Sequence, residues 1–236
     1  MLKPSYWCLR SRTARRLDGY PAFELPVRKP AEQLSSEDMR TNLDYFLMQK
    51  SERVRALIER TSDWEVPVLI DESLDDVATR WSRFMMRYAG VCGHDRAINQ
   101  QDFLYRLSGD TERITGASFV FDVGIWIGEE CLKRRSKWKW QIALDKPREF
   151  MAEQMPIDPE EHEDDVDIDN YEEYGSGHGV VWLAGESEGV DPIGMCFQAA
   201  NSICLGVRLG GFVPQEDVFI RSARVSYLSN LLHEWN

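Results

Sequence analysis

The sequence predicts an α+β fold: an N-terminal helical part packed on a small antiparallel sheet, with a central buried helix and C-terminal helices. Three observations predict it. Residues 113–144 carry an apolar helical pattern that runs straight into a short aromatic strand. Before them, residues 35–88 repeat apolar residues at spacings of three and four, the period of amphipathic helices. After them, a second short strand at 180–183 follows a loop and not a crossover helix, which favours an antiparallel pair.

The arm comes first. Residues 1–34 hold Arg10, Arg12, Arg15 and Arg16, then Tyr20, Pro21, Phe23, Leu25, Pro26 and Pro30. This composition predicts an irregular segment whose aromatics dock on the body. Met1 to Tyr20 has no continuous apolar run, so a secretory leader is not expected.

The helical part, residues 35–112, opens at Ser35–Ser36, with Glu37 and Asp38 suiting the positive end of the helix dipole. Leu43, Phe46 and Leu47 mark its apolar face. A separate helix is expected from Glu52, with Val54, Leu57 and Ile58 turned inward, ending at Trp64, Val66 and Pro67. A further helix is read from Asp71–Ser73 to Tyr88, through Leu74, Val77, Trp81, Phe84 and Met85. Asp102 to Leu107 reads as a short helix and Ser108-Gly109-Asp110 as a turn. His94 is a lone loop histidine with no metal partner at useful spacing.

Residues 113–236 form the α+β part, continuous with the rest in one compact domain. Its central helix is expected from Thr115 to Arg135. Phe119, Val123, Trp126 and Ile127 lie on one face, Phe121, Ile125 and Leu132 on another, so several sides are buried. Asp122, Glu129 and Glu130 interrupt the apolar run, which argues against a membrane span. Gly116, Gly124 and Gly128 share a stripe with Val120, and such a stripe predicts a groove where another backbone packs closely. Glu129 stands four before Lys133 and Glu130 four before Arg134, the favourable order for helical ion pairs. Trp138 to Leu144 alternates bulky and polar residues, as a strand with one buried face does. Asp191-Pro192 is a helix start, with Asp as cap and Pro at the first helical position. Ile193, Cys196, Phe197, Ala200, Cys204 and Val207 follow on its buried side, and Gly206, Gly210 and Gly211 close it. A terminal helix carries Leu228, Leu231, Leu232 and Trp235.

Charge is concentrated. Between Glu153 and Tyr174 stand eleven acids and no Lys or Arg, and removing those eleven from the net charge of −12 leaves −1. Asp158, Glu160, Glu161, Glu163, Asp164, Asp165, Asp167, Asp169, Glu172 and Glu173 are therefore the candidate partner-binding residues. Phosphate binding needs cations, so nucleic acid is a poor partner and a basic protein surface a better one. Asp164, Asp165, Asp167 and Asp169 miss the glycine and the terminal glutamate of an EF-hand loop. Five cysteines, Cys8, Cys92, Cys131, Cys196 and Cys204, are scattered without a CxxC pair and read as reduced thiols of a cytoplasmic protein. No cofactor, metal set or membrane segment is expected.

The run from Asp122 through Val123, Gly124, Ile125, Trp126, Ile127 and Gly128 to Glu129, followed by Trp138 and Trp140, resembles a pattern in uncharacterised bacterial α/β domains. There a helix with a G-x-x-x-G-E sequence leads into a Trp-bearing strand, and such domains occur among immunity proteins of toxin systems. The likeness covers about residues 113–144, with a looser match at Asn42–Phe46 and Trp81. The acidic segment and the arginine-rich arm lie outside the pattern. The resemblance implies a protein that neutralises a toxin by binding, and it brings no catalytic residues to carry over.

Three functions follow as expectations. The first is a non-catalytic protein-binding protein of immunity type, whose acidic surface meets a basic toxin domain. The second is a hydrolase or metal-dependent enzyme using Asp122, Glu129 and His178, which must then converge in one pocket. His178 lies in Gly175-Ser176-Gly177-His178-Gly179, which lacks the order of a phosphate loop. The third is a structural or regulatory subunit that forms a homo-oligomer.

Overall fold

The computed structural model describes residues 15–68, 84, 98–107, 111–143, 179–185 and 189–210. They form helices and a small antiparallel sheet, an α+β fold. In chain order the elements are a 3-10 turn at Ala31–Gln33, α1 (Ser36–Thr61), α2 (Gln100–Tyr105), α3 (Thr111–Arg134), β1 (Lys139–Ile142), β2 (Val181–Ala184), β3 (Gly189–Val190) and α4 (Pro192–Gly210). The helix expected over 71–88 lies outside the described residues except for Phe84, which is helical and buried. His94, the acidic segment, His178 and the terminal helix lie outside them as well.

Helix α1 starts where its capping residues stand. The Ser35 side chain accepts from the Asp38 backbone N–H, and Asp38 accepts from the Ser35 N–H in return, a complete capping box. Those bonds, with Lys29 beside the carboxylate, pull the Asp38 pKa down to about 2. The two helices expected from Ser35–Ser36 and from Glu52 are a single helix of 26 residues. No Gly or Pro separates them, and Met39, Asn42, Phe46, Arg53, Leu57 and Thr61 continue one buried face across the supposed break.

Helix α3 is the centre of the structure. Every residue from Gly116 to Gly128 is buried, so this helix is enclosed by the elements around it. It begins at Thr111, four residues earlier than expected. Helices α1 and α4 and the short α2 pack against it. The glycine stripe works as expected at two positions. A Cβ on Gly124 would stand 2.6 Å from the Ile193 Cα of α4, and one on Gly128 would strike the Trp140 ring of β1.

The sheet has the order β1-β2-β3, antiparallel throughout. Lys139 pairs with Ala184, Trp140 with Leu183, Gln141 with Trp182 and Ile142 with Val181. Exposure alternates along β1, with Trp140 and Ile142 buried and Lys139 and Gln141 exposed. Two bonds extend the pair beyond the ladder: Ala143 N–H donates to Val180 O and Gly179 N–H to Ala143 O, each at 2.9 Å. Strand β3, unforeseen in the sequence, is two residues long and pairs antiparallel with β2. It leads directly into α4, where the Asp191 carboxylate accepts from the Gly194 N–H at 2.7 Å as the expected cap. Burial pushes the Asp191 carboxyl up to about 7, against backbone N–H groups that pull it down.

One hydrophobic cluster joins the arm, the helical part and the α+β part, from Leu17 to Ala200. Aromatics link its pieces. Phe23 of the arm stacks on Phe121 of α3 at 4.6 Å, and Phe46 of α1 meets the Trp140 edge of β1 at 5.1 Å. The arm aromatics dock on the body as expected: Tyr20 and Phe23 are buried. No helix of the described residues is long and apolar enough to cross a membrane.

The Gly124–Ile193 approach is between backbones, so no side chain can swing aside to accommodate a methyl group. Gly124→Ala is expected to lower stability by roughly 1–3 kcal/mol through overpacking, read as a lower urea midpoint with an unchanged slope.

Candidate functional site

The sequence marks Asp122 and Glu129 as the carboxylates most able to do chemistry. The structure shows what each one touches. Asp122 sits midway along α3, fully shielded from solvent. Arg53 of α1 faces it, with Nε 2.9 Å from Oδ1 and one terminal nitrogen 2.6 Å from Oδ2. The Tyr20 hydroxyl of the arm also donates to Oδ2. Both carboxylate oxygens are thus engaged by donors inside the protein.

Arg53 is almost as deeply placed, at 5% exposure. Its remaining donors go to the arm's main chain, to Pro21 O at 2.9 Å and Ala22 O at 3.3 Å. The guanidinium also lies over the Tyr20 and Phe23 rings, at 5.6 and 5.7 Å from their centroids. Burial pushes the Asp122 carboxyl up to about 6, while Arg53 and Tyr20 pull it down. The Tyr20 hydroxyl is raised well above its ordinary range, by burial first and by the Asp122 charge second. The carboxylate raises Arg53 against the effect of its burial, so the guanidinium stays protonated.

Glu129 lies two turns on, about 10.5 Å along the axis. It was expected to pair with Lys133. Its Oε1 accepts from Lys50 Nζ of α1 and from the Trp140 indole N–H of β1, each at 2.7 Å. The reason is geometric: Gly128 lets the Trp140 ring come close to α3, and the indole N–H reaches the carboxylate. Lys133 binds Glu130 at 2.8 Å, one residue closer than the expected i+4 spacing. Glu129 is therefore a clamp between α1, α3 and β1.

The two carboxylates serve separate junctions. A shallow surface cleft of about 590 Å³ is lined by Tyr20, Pro21, Ala56, Glu59, Arg60, Ser62 and Asp63, and neither Asp122 nor Glu129 lines it. His178 is outside the described residues, as are the candidate partner-binding acids 158–173. Among the described residues, no three His, Cys, Asp or Glu side chains gather to hold a metal ion. Cys131 is a free thiol, and burial pushes it up to about 11. That makes it a poor nucleophile at neutral pH.

Sequence reasoning missed Arg53, Lys50 and Tyr20 as partners. The signal for Arg53 was present. It stands seven after Phe46 and four before Leu57, on the inward stripe of α1, where an unpaired cation is not tolerated. An inward Arg on one helix and an inward Asp on the next call for each other. Lys50 carries no comparable mark, because it lies at the margin of the buried face.

Comparison with protein families, curated proteins and solved structures found no match to this chain.

The Asp122 pKa has a consequence for stability. An ordinary aspartate in the unfolded chain titrates near 3.9. Raised to about 6 in the fold, Asp122 contributes stability that is complete below about pH 4 and lost as pH rises through 6. Tyr20→Phe removes a donor to the charged form and moves that loss to higher pH. At pH 7.5 the variant is expected to lose roughly 1.5–3 kcal/mol, the usual size of a hydrogen bond to a charged group. The deficit should shrink towards pH 5. Urea unfolding of both proteins across pH 5–8 checks this.

Proposed function

We propose that the protein is a non-catalytic binding protein of immunity type, which neutralises a bacterial toxin domain in the cytoplasm. The acid-rich segment from Glu153 to Tyr174 carries the reading. It holds eleven acids and no Lys or Arg, in a chain whose remaining net charge is only −1. A field so concentrated attracts a basic surface from a distance and speeds its association. Asp158, Glu160, Glu161, Glu163, Asp164, Asp165, Asp167, Asp169, Glu172 and Glu173 are the partner-binding residues of this proposal.

Two features of the body support it. The carboxylates that an enzyme would need, Asp122 and Glu129, are tied to internal donors and hold helices together. The junction of β1 with β2 is closed at its base by the Ala143 and Gly179 bonds. The acid-rich segment thus leaves and rejoins the body at neighbouring points of one ladder. Deleting it need not break that ladder.

The test is capture of a basic partner from the native host's lysate, with the intact chain beside one lacking residues 158–173. The reading expects a partner bound at low salt and weakened at high salt. It also expects at least a tenfold loss of affinity on deletion, with the circular dichroism of the body unchanged. Equal affinity of the deleted chain removes the acidic segment from the function.

A further inference from the structure

Helix α1 is buried along one side only. Met39, Phe46, Arg53 and Leu57 face the core, and the opposite side meets solvent. The two large apolar side chains exposed among the described residues stand together there, Leu47 at 39% and Met48 at 67%. Isolated exposed apolar residues are ordinary on a protein surface, so this pair alone decides nothing.

The residues around it do. Thr41, Asp44, Met48, Ser51, Arg55 and Ile58 follow one another at alternating steps of three and four. That is the spacing of a seam along which two helices pack. The first five are exposed and Ile58 is half-buried, with Leu47 bordering the line. The seam covers about 25 Å of helix. Asp44 and Arg55 carry opposite charges on either side of its centre. Neither makes an ion pair among the described residues, although Arg40 stands four before Asp44 and Glu59 four after Arg55.

We propose that this face of α1 binds the same face of a second copy of the chain, antiparallel about a two-fold axis. The charges fix the register. With the axis midway between Met48 and Ser51, Asp44 meets the partner's Arg55 and Met48 meets the partner's Ser51, and symmetry makes each contact twice. A parallel pairing in register sets Asp44 against the partner's Asp44 and Arg55 against the partner's Arg55. Sliding the antiparallel pair by one step of the seam sets Asp44 against the partner's Met48 in one sense, and Arg55 against the partner's Ser51 in the other. Of these arrangements only the proposed one pairs both charges. Met48 supplies the apolar contact at the centre, where its unbranched side chain adapts to the facing surface. One helix pair makes a small interface, of the weak and transient class below about 1,200 Å². The proposal does not depend on the acidic segment.

Sedimentation velocity of the full chain, from low micromolar to near-millimolar concentration, is the experiment. Physiological salt screens the negative charge of the two copies beyond about 8 Å, so their mutual repulsion does not hide the contact. The proposal expects a reversible monomer–dimer equilibrium. Asp44→Arg and Arg55→Asp should each weaken it at least tenfold, because two attractions become two repulsions. Asp44→Arg and Arg55→Asp combined rebuild both pairs with exchanged signs, and the association should return to within threefold of the native value. Both positions are exposed, so each variant should keep its fold, which circular dichroism checks. A constant monomer mass across the series overturns the proposal. A dimer that the single substitutions leave unchanged, or that the double one fails to restore, overturns it as well, because such a dimer is held by another surface.

Discussion

The buried ion pair between Arg53 and Asp122 is the constraint on which the rest of the structure depends. Taking two charges out of water costs several kcal/mol per ion, and their attraction offsets this only where the geometry is good and the remaining donors are satisfied. Here the geometry is good and the donors are satisfied, although burial still outweighs them and leaves the Asp122 carboxyl raised. The carboxylate receives two guanidinium bonds and one hydroxyl, and the guanidinium spends its other donors on two main-chain carbonyls. The pair thus requires three segments at once: α1 for the cation, α3 for the anion and the arm for the carbonyls and Tyr20. A misaligned α1 would leave a charge in the core of α3. The pair therefore selects one register among the many that apolar surfaces alone would accept.

Around that pair, helix α3 organises its neighbours by the size of its side chains. Phe119 and Phe121 present rings to the arm, and Phe121 also meets Phe46 of α1. On the glycine stripe the helix presents no side chain at all, and there α4 and the Trp140 ring come close. The Trp140 position then sets Glu129, whose carboxylate meets the indole and Lys50 together. Large residues, small residues and charges each dictate one neighbour.

Much of this was legible in the residues. Local signals act over a few positions and were read correctly: the Ser35 cap, the Asp191-Pro192 start of α4, the alternation of β1 and the close-packing glycines. The antiparallel pairing of β1 with β2 was expected from a connection that reads as a loop in the sequence. What was not legible is long-range. A second helix was expected to start at Glu52, but the buried stripe runs on without a break because helices tolerate polar residues on their outer face. Glu129 has a suitable partner along its own helix, and i+4 spacing cannot say that a lysine on another helix reaches it as well. Asp122 and Glu129, which only the alternative enzyme reading used for chemistry, stand at junctions between elements. A charge on an inward stripe satisfies the same pattern whether it serves catalysis or assembly, and only its partners distinguish the two.

The central claim is that Arg53 and Asp122 act as one unit that aligns α1, α3 and the arm. A double-mutant cycle on folding stability, with Arg53→Met, Asp122→Leu and the two combined, tests it most directly. The account predicts that each single substitution costs about 3–5 kcal/mol, because it strands one buried charge. The double variant should cost far less than the sum, giving a coupling of several kcal/mol. Costs that simply add would contradict the account, since residues that do not act together give additive effects.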